Sequence, residues 1–519
     1  MMKEVLHFHL FCGLGGGAAG FNRGHARVGA MQAKFRCIGG VDSSASAIAD
    51  FTRLAGVPGT VLDLFDRDQY RAFHGKEPPQ DWREATPADI RKAAGGERPH
   101  IVFTSPPCKG FSGLLSQAKS QTEKYKALDR LTLRGIWLTL EAWSDDPPEF
   151  IILENVPRIQ NRGRYLLDQI GGLLRRYGYA VAETTHDCGE LGGLAQSRKR
   201  FLLVARHMEK VQPFLYEPSK HPLLSVGDVL GRMPIPGNES NAGGAMHRVP
   251  SLQWKTWVRL AFVEAGSDWR SLDKLVVQDG FLRDYLILPE RRTESWRGYA
   301  VADPRFHGSA EYGQYGVRGW EETMGAVSGQ SAPGGGRYAV ADPRPGLSRG
   351  KGDNYLTAAH YGVVSWKDAC GAVSAAAGHD NGKWSVADPR TSTSCFSTVN
   401  EENEAEELPD QNTKLVAMIL ALDDTWHRPF TTLELAALQG LVDPEEYLEL
   451  DGLSDRDWRE RIGNAVPPPA AQAIASVMGK TLLLAWAGET FVLDAAPIWV
   501  KPMAMAVCLD GAISAGQPA

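Results

Sequence analysis

The sequence predicts an α/β fold: a doubly wound, mostly parallel sheet with helices on both faces, interrupted by a smaller β-rich insert. Three observations lead there. Short apolar, β-prone runs alternate with helix-like stretches over residues 1–207, the pattern of parallel strands joined by crossover helices. The residues able to do chemistry, at 11–16 and at Asp42, Asp63, Cys108 and Glu154, all fall at the ends of those runs, where an open α/β sheet gathers its ligands. A stretch of different, repetitive texture then separates this block from a second one beginning near residue 416.

Residues 5–11 alternate apolar side chains with histidine and form the first expected strand. They run into Phe11-Cys12-Gly13-Leu14-Gly15-Gly16-Gly17-Ala18-Ala19-Gly20, a glycine-dense turn followed by a small-residue helix start. Glycines reach positive φ and let a backbone approach a ligand closely, so the turn suits a nucleotide-type cofactor. Residues 37–42 form a second strand ending in Asp42. An acid there binds ribose hydroxyls in many α/β cofactor folds, and is equally suited to capping the helix expected at 43–51. Residues 61–64 repeat the pattern, with Asp63 near the strand end. Residues 78–97, rich in proline, charge and glycine, read as a loop with a short helix.

Ile101-Val102-Phe103 is the fourth strand, and Ser105-Pro106-Pro107 stops it, since proline fixes φ and donates no hydrogen bond. Cys108 follows directly, with Gly110 and Gly113 beyond. A thiol on a stiff elbow is well placed as a nucleophile, and a lone cysteine is as readily a small buried hydrophobe. Residues 128–143 have helical apolar spacing. Residues 150–156 form a buried strand carrying Glu154, either a satisfied structural acid or a tuned catalytic one. A helix over 165–177 and strands over 179–182 and 201–205 follow. Arg198 and Arg200, beside the last strand, imply an anionic or carbonyl partner or a solvated basic turn.

The chain of 519 residues is 43% hydrophobic and 23% charged, ordinary for a globular protein of two or three domains. No apolar run is read as long enough for a membrane span, and the N-terminus lacks a signal-peptide core, so a cytoplasmic, non-membrane protein is expected. The 7 cysteines lack the spacing of a disulfide framework or a metal site, so no metal is expected. A net charge of −6 excludes a generally polybasic nucleic-acid binder but leaves room for a local basic cleft.

With these residues in place, the chain resembles the cytosine-C5 DNA methyltransferases. Phe11-x-Gly13-Leu14-Gly15-Gly16 resembles the family's first cofactor motif, and Pro106-Pro107-Cys108-x-Gly110-Phe111-Ser112 its nucleophile motif. Glu154-Asn155-Val156 and Gln196-x-Arg198-x-Arg200 resemble its glutamate and arginine motifs. Arg428-Pro429-Phe430-Thr431-Thr432-x-Glu434 with Gln439-Gly440, and Gly463-Asn464-Ala465-Val466-Pro467-Pro468, resemble its ninth and tenth. The resemblance covers about 5–205 and 415–480, in the family's order. It implies a Rossmann-like methyltransferase domain over 1–207 and 416–488, an inserted target-recognition domain over 208–415, and a tail over 489–519 of no assigned role.

The resemblance further implies that S-adenosylmethionine is held by Phe11, Gly13, Leu14, Gly15, Gly16, Asp42, Ser43, Asp63, Leu64, Pro106, Asn464 and Ala465. Cys108 would attack C6 of a cytosine flipped out of duplex DNA. Glu154 would hold the N3 edge, and Arg200, helped by Arg198, would bind O2 and stabilise charge on the ring. C5, made nucleophilic by the addition, would take the methyl group. A monomer in bacterial or phage DNA modification is expected, with a restriction endonuclease as a conceivable partner. A transfer-RNA enzyme of the same chemistry is the alternative, against which the long insert argues, and a variant cofactor is another.

Two departures stand out. Lys109 replaces the family's usual glutamine, where its charge would act on the thiol, a DNA phosphate or an anionic cofactor group, or simply be solvated. Gly440-Leu441-Val442 replaces the usual Gly-Phe-Pro, read as a packing variation. Within the insert, Tyr299-Ala300-Val301-Ala302-Asp303-Pro304-Arg305 recurs at 338–344 and again at 384–390. A Tyr-Gly-Val…Trp…Gly-Ala-Val-Ser stretch recurs at 315–328 and 361–374. These read as irregular β-rich modules. Lys109, Ser112, Arg318, Arg344 and Lys351 are the candidate DNA contacts, and the Asp-Pro-Arg arginines are equally placed to pair with neighbouring acids.

Overall fold

The computed structural model describes residues 1–107, 111, 122–213, 217–236, 243–263, 265–266, 362–373, 385–390, 409–417 and 426–488, with the backbone of short strands at 277–278, 281–282, 317–318 and 339–340. The chain forms two compact units. One comprises 1–223, 439–441 and the chain from 450; the other comprises 224–438 and 442–449.

The first unit is built on an eight-stranded sheet. Its strands are β1 (Met2–Leu10), β2 (His25–Val28), β3 (Met31–Asp42), β4 (Thr60–Val61), β5 (Ile101–Thr104), β6 (Phe150–Asn155), β7 (Tyr179–Asp187) and β8 (Lys199–His207). Their order is β2-β3-β1-β5-β6-β8-β7, with β4 beside β3. The pairs β3/β4, β1/β3, β1/β5 and β5/β6 are parallel, while β2/β3, β6/β8 and β7/β8 are antiparallel. The mostly parallel sheet is thus borne out. From β1 the chain goes outward through β3 and β4, then crosses to β5 on the other side. That reversal opens a crevice at the carboxyl ends of β1 and β5. The β2/β3 hairpin was not anticipated, because residues 25–36 alternate exposed and buried positions with few apolar side chains.

The helices of this unit begin with α1 (Gly16–Asn22), α2 (Ala45–Ala55), α3 (Arg67–His74), α4 (Pro87–Ala93), α5 (Glu123–Ala142), α6 (Ile159–Arg162), α7 (Arg164–Arg176) and α8 (Cys188–Gly192). Successive strand residues face opposite sides, so the sheet feeds two cores. Val102, Ile151 and Leu203 join Ile136, Ile90 and Ile170 on one face. Ile101, Phe103, Ile152 and Leu202 join Phe21 on the other. Ser44, not Asp42, caps α2 by accepting from the Ala47 amide, and Gly56 ends that helix in the left-handed region. An unexpected α3 starts at an Asp66/Gln69 capping box.

The second unit contains α9 (Val226–Leu230), α10 (Trp254–Phe262) and short strands. β9 (Leu252–Gln253) pairs with β16 (Lys414–Leu415), and β10 (Val277–Gln278) with β11 (Phe281–Leu282). β12 (Val317–Arg318) runs parallel to β13 (Ala339–Val340), and β14 (Val363–Val364) parallel to β15 (Ser385–Asp388). The second of these pairs repeats the first 46 residues on at both strands (317 to 363, 339 to 385), in the same register. The sequence repeat is therefore a structural one. β15 also pairs with β17 (Trp426–Pro429), and α11 (Thr432–Leu438) follows. Residues 426–438, part of the block expected from 416 onward to belong with the large sheet, cluster in this unit. Of the ninth motif, Arg428 to Glu434 lies here, with fully buried Arg428 bridging Asp388 and Glu434, while Gln439 and Gly440 belong to the first unit.

The chain re-enters the first unit with α12 (Asp455–Asn464) and α13 (Pro468–Ala487). The stretch 455–487 is long and apolar enough by composition to cross a membrane, contrary to the sequence reading. Its apolar residues Ile474, Met478 and Leu482 are instead core, packed with Phe21, Phe35 and Val5. Such burial contributes about 1.5–3 kcal/mol per side chain. The α1/α13 contact is close because Gly20 lacks a side chain: a Cβ there would lie 2.2 Å from the Pro468 carbonyl oxygen.

Candidate active site

The glycine turn after β1 is built by backbone conformation. Phe11 has φ 50, alone among described non-glycine residues in being positive, and Gly13 and Gly15 have φ 52 and 95. Holding Phe11 there costs on the order of 1 kcal/mol, so the surroundings must enforce it. Asp42, at the end of β3, does part of this: its carboxylate accepts from the Gly13 amide (3.0 Å) and the Ser44 amide (2.9 Å). Burial pushes the Asp42 carboxyl above its ordinary value. The glycines divide their work. Gly13 has open space at its Cβ position, whereas a Cβ on Gly15 would press on Phe51 (3.1 Å) and one on Gly16 would meet the Val466 carbonyl oxygen at 2.5 Å. Leu14 is buried. Leu441, from the departed motif, packs at Gly16, in keeping with a packing variation.

A cavity of about 500 Å³ opens above this turn. Of the expected cofactor residues, Phe11, Gly13, Asp42, Ser43, Asp63, Leu64, Pro106, Asn464 and Ala465 line it. Leu14, Gly15 and Gly16 shape the turn from behind. Asp63 accepts from the Phe65 amide (2.9 Å) and the Trp82 indole N–H (3.3 Å). Asp457 and Glu460 of α12 add two carboxylates to the wall that the sequence reading missed.

Glu154 closes the far side. Its Oε2 accepts from the Ser105 hydroxyl at 2.7 Å, and its Oε1 lies 2.9 Å from Arg200 Nε. Both partners follow from the sheet: β5 and β6 are adjacent, which puts Ser105 beside Glu154, and β8 lies antiparallel on β6. Asn155 donates to the Pro106 carbonyl at 3.5 Å, fixing the strand end against the proline elbow. Pro106 and Pro107 line the cavity; Cys108, Lys109 and Ser112 lie outside the described residues. Ser105 was passed over in the sequence as part of a turn, although its place one residue before Pro106 was the available signal.

Arg198 and Arg200 part company. Arg200 faces Glu154, but Arg198 is buried and its guanidinium donates to the carbonyls of Gly463 (2.9 Å) and Ala465 (3.1 Å). Gln439 donates to the Ile462 and Ala465 carbonyls as well. Arg198 thus holds the turn carrying Asn464 in the cavity wall, and it lines the same cavity as Arg200. Of the candidate DNA contacts in the insert, Arg344 and Lys351 lie outside the described residues, and Arg318 is placed only by its backbone in β12. In the last repeat, Arg390 pairs with Asp388 at 3.0 Å and stacks 4.9 Å from the Trp366 ring centre.

A family model described as C-5 cytosine-specific DNA methylase matches residues 7–480. No curated protein matches the chain. Among solved structures it is similar to the Entamoeba histolytica methyltransferase EhMeth, at 12% identity and TM-score 0.49, covering 92% of this chain and 98% of that one. It is similar to the S. pombe Dnmt2 methyltransferase at 13% identity and TM-score 0.41, covering 93% and 98%. A putative DNA modification methyltransferase from an E. coli prophage matches at 14% identity and TM-score 0.43, covering 92% and 99%.

Proposed function

We propose, from the premise that this chain belongs to the C-5 cytosine-specific DNA methylase family, that it moves a methyl group from S-adenosylmethionine to C5 of a cytosine in duplex DNA. The observation that carries this reading is the meeting of Ser105, Glu154 and Arg200 in one cavity with the Phe11–Gly13 turn and the proline elbow before Cys108. The cavity's donor set fits the cofactor: Asp42 and Asp63 offer acceptor oxygens to hydroxyl or amine groups, and acids outnumber free cations on the wall, which favours a cationic ligand. S-adenosylmethionine, when bound, supplies an electrophilic methyl group.

The chain's own residues do the rest. Cytosine C5 is a weak nucleophile until a thiolate adds to C6, the task assigned to Cys108. Glu154 meets the ring's N3 edge, where a proton shared with its carboxyl balances the electrons pushed in by the thiolate. Ser105 and Arg200 hold that carboxyl in one orientation, and the Arg200 guanidinium stands where negative charge on the ring needs a partner. Loss of the C5 proton and expulsion of the Cys108 thiolate restore the aromatic base. A cytosine stacked in a duplex cannot reach such a cavity, so the base is flipped.

The test is Cys108→Ser. It is expected to abolish methyl transfer to DNA while S-adenosylmethionine still binds. A duplex carrying 5-fluorocytosine is expected to trap the wild-type chain covalently, because fluorine does not leave as a proton does. A Cys108→Ser chain that still forms the adduct sinks the assignment, and methylation of RNA but not DNA overturns the substrate.

A further inference from the structure

β1 carries two histidines, His7 and His9, that the reaction above does not use. Both rings are buried, and His7 Nδ1 lies 2.8 Å from His9 Nε2. Their tautomers are dictated from one end. The Asn22 amide donates through Nδ2 to the Ala55 carbonyl (2.9 Å), and its Oδ1 accepts from the Cys37 amide (2.9 Å). Those backbone partners fix which end of the amide is oxygen, so at 3.1 Å from Oδ1 the His7 Nε2 must be the donor. Burial, with His9 as neighbour, lowers the His7 pKa well below its ordinary value, so the ring is neutral and its Nδ1 carries no proton. His9 Nε2 therefore donates to it. Burial pushes His9 down to about 3, so its other nitrogen, Nδ1, is a bare lone pair.

That lone pair makes no hydrogen bond to any described residue. His9 lines the cavity, and its Nδ1–Cε1 edge faces Gly17, where a Cβ would stand 3.8 Å from both atoms. With no side chain there, the space in front of Nδ1 stays open. Phe21 and Phe103 enclose the rest of the ring. The acceptor therefore opens onto the cavity, where a donor on a bound ligand can reach it.

We propose that His9 Nδ1 binds the α-ammonium of the amino-acid end of S-adenosylmethionine, with His7 and Asn22 holding it in the acceptor tautomer. The inference rests on the cofactor reading above. Asp42 and Asp63, from β3 and the segment after β4, offer oxygens to the nucleoside's hydroxyl and amine groups. His9, on β1 beneath the glycine turn, offers a neutral acceptor, and the α-ammonium is the N–H donor of the cofactor outside its nucleoside. A metal ion is the rival occupant, since ligand atoms of His7, His9 and Cys37 lie within 4.8 Å of one another. The proton order argues against it: His9 Nε2–H already occupies His7 Nδ1, and burial pushes the Cys37 thiol up to about 12.

Binding of S-adenosylhomocysteine and of 5′-methylthioadenosine, which lacks the amino-acid end, to the full chain by calorimetry is the test. His9→Gln keeps an amide near the Nε2 position and leaves nothing at Nδ1; His9→Phe keeps the ring volume alone. Both are expected to weaken S-adenosylhomocysteine about tenfold or more and to leave 5′-methylthioadenosine within about twofold. His9→Asn, with an acceptor near Nδ1, is expected to retain most of the affinity. Equal weakening of both ligands would make His9 merely structural and overturn the proposal, as would no change in either. One equivalent of metal in the purified wild-type chain, lost in His9→Gln, would overturn it as well. If neither variant folds, a His9→Asn chain that loses S-adenosylhomocysteine selectively overturns it, and one that retains it supports it. A wild-type chain that binds neither ligand would instead sink the cofactor reading itself.

Discussion

Glu154 is a carboxylate whose position is set by two neighbours, and each can be removed separately. Glu154→Gln keeps the shape and the Ser105 contact but cannot exchange a proton with the base. It is expected to retain cofactor binding and lose about a hundredfold or more in methylation rate. Ser105→Ala leaves the acid but frees its orientation, with an expected loss of about tenfold in kcat. Rates near wild type in both would remove this pair from the mechanism. The buried histidines give a second prediction. Burial holds His9 near 3 and His186 near 4, and His7 well below its ordinary value. Unfolded, each titrates near 6.5, so below that pH the unfolded chain takes up protons that the folded chain refuses. Their contribution is full above about pH 6.5 and is lost as pH falls toward the folded values. Urea titrations at pH 7 and 5.5 are expected to show a loss of about 1 kcal/mol per histidine; a flat profile would contradict it.

Among the elements, the last repeat of the insert is tied by charge. Asp388, at the end of β15, receives Arg390 from its own Asp-Pro-Arg turn and Arg428 from β17. Arg428 also holds Glu434 of α11 at 2.8 Å. Burial raises the Asp388 carboxyl, yet Arg390 and Arg428 hold it below its ordinary value. Arg390 further donates to the carbonyls of Leu230 and Met233, joining α9 to the strand pair. The described Asp-Pro-Arg arginine is thus a structural one. Asp388→Asn would remove the counter-charge of Arg390 and one of the two carboxylates on buried Arg428, which keeps Glu434, at an expected stability loss of about 1.5–3 kcal/mol by denaturant unfolding. A loss under about 1 kcal/mol would show the knot to be dispensable.

For the whole molecule, the expectation is that the insert chooses the DNA sequence and the sheet-based unit does not. Exchanging the insert for that of another family member is expected to change the methylated sequence. An unchanged sequence would place recognition elsewhere. The chain's net charge of −6 means that any DNA-facing surface needs local cations. Arg344 holds, one repeat earlier, the sequence position of Arg390, so Arg344→Ala is expected to cost stability rather than specificity. Arg318→Ala and Lys351→Ala test the alternatives. A guanine contact is worth about 1–3 kcal/mol of discrimination, whereas a phosphate contact weakens all sequences alike and flattens the salt dependence.

The sequence alone determined most strands of the large sheet, β2 excepted, because apolar β-prone runs, proline stops and glycine turns are local physics. β5 ends at the proline elbow and Glu154 lies within β6 for reasons written within a few residues of each. The glycine turn was legible too, since glycines admit the positive φ that Gly13 and Gly15 adopt, whereas the positive φ of Phe11 was not. Only the tertiary structure decided what each polar side chain meets. Arg198 and Arg200 look alike in sequence, one just before β8 and one within it, yet one reaches backbone carbonyls some 265 residues on and the other reaches Glu154. The His7–His9–Asn22 chain was invisible for the same reason: it needs β1, α1 and β3 packed together before a tautomer exists to be fixed. Local sequence sets the conformation of a segment, but a hydrogen bond or ion pair is set by whichever distant segment the fold brings within 3 Å, and that is settled by packing.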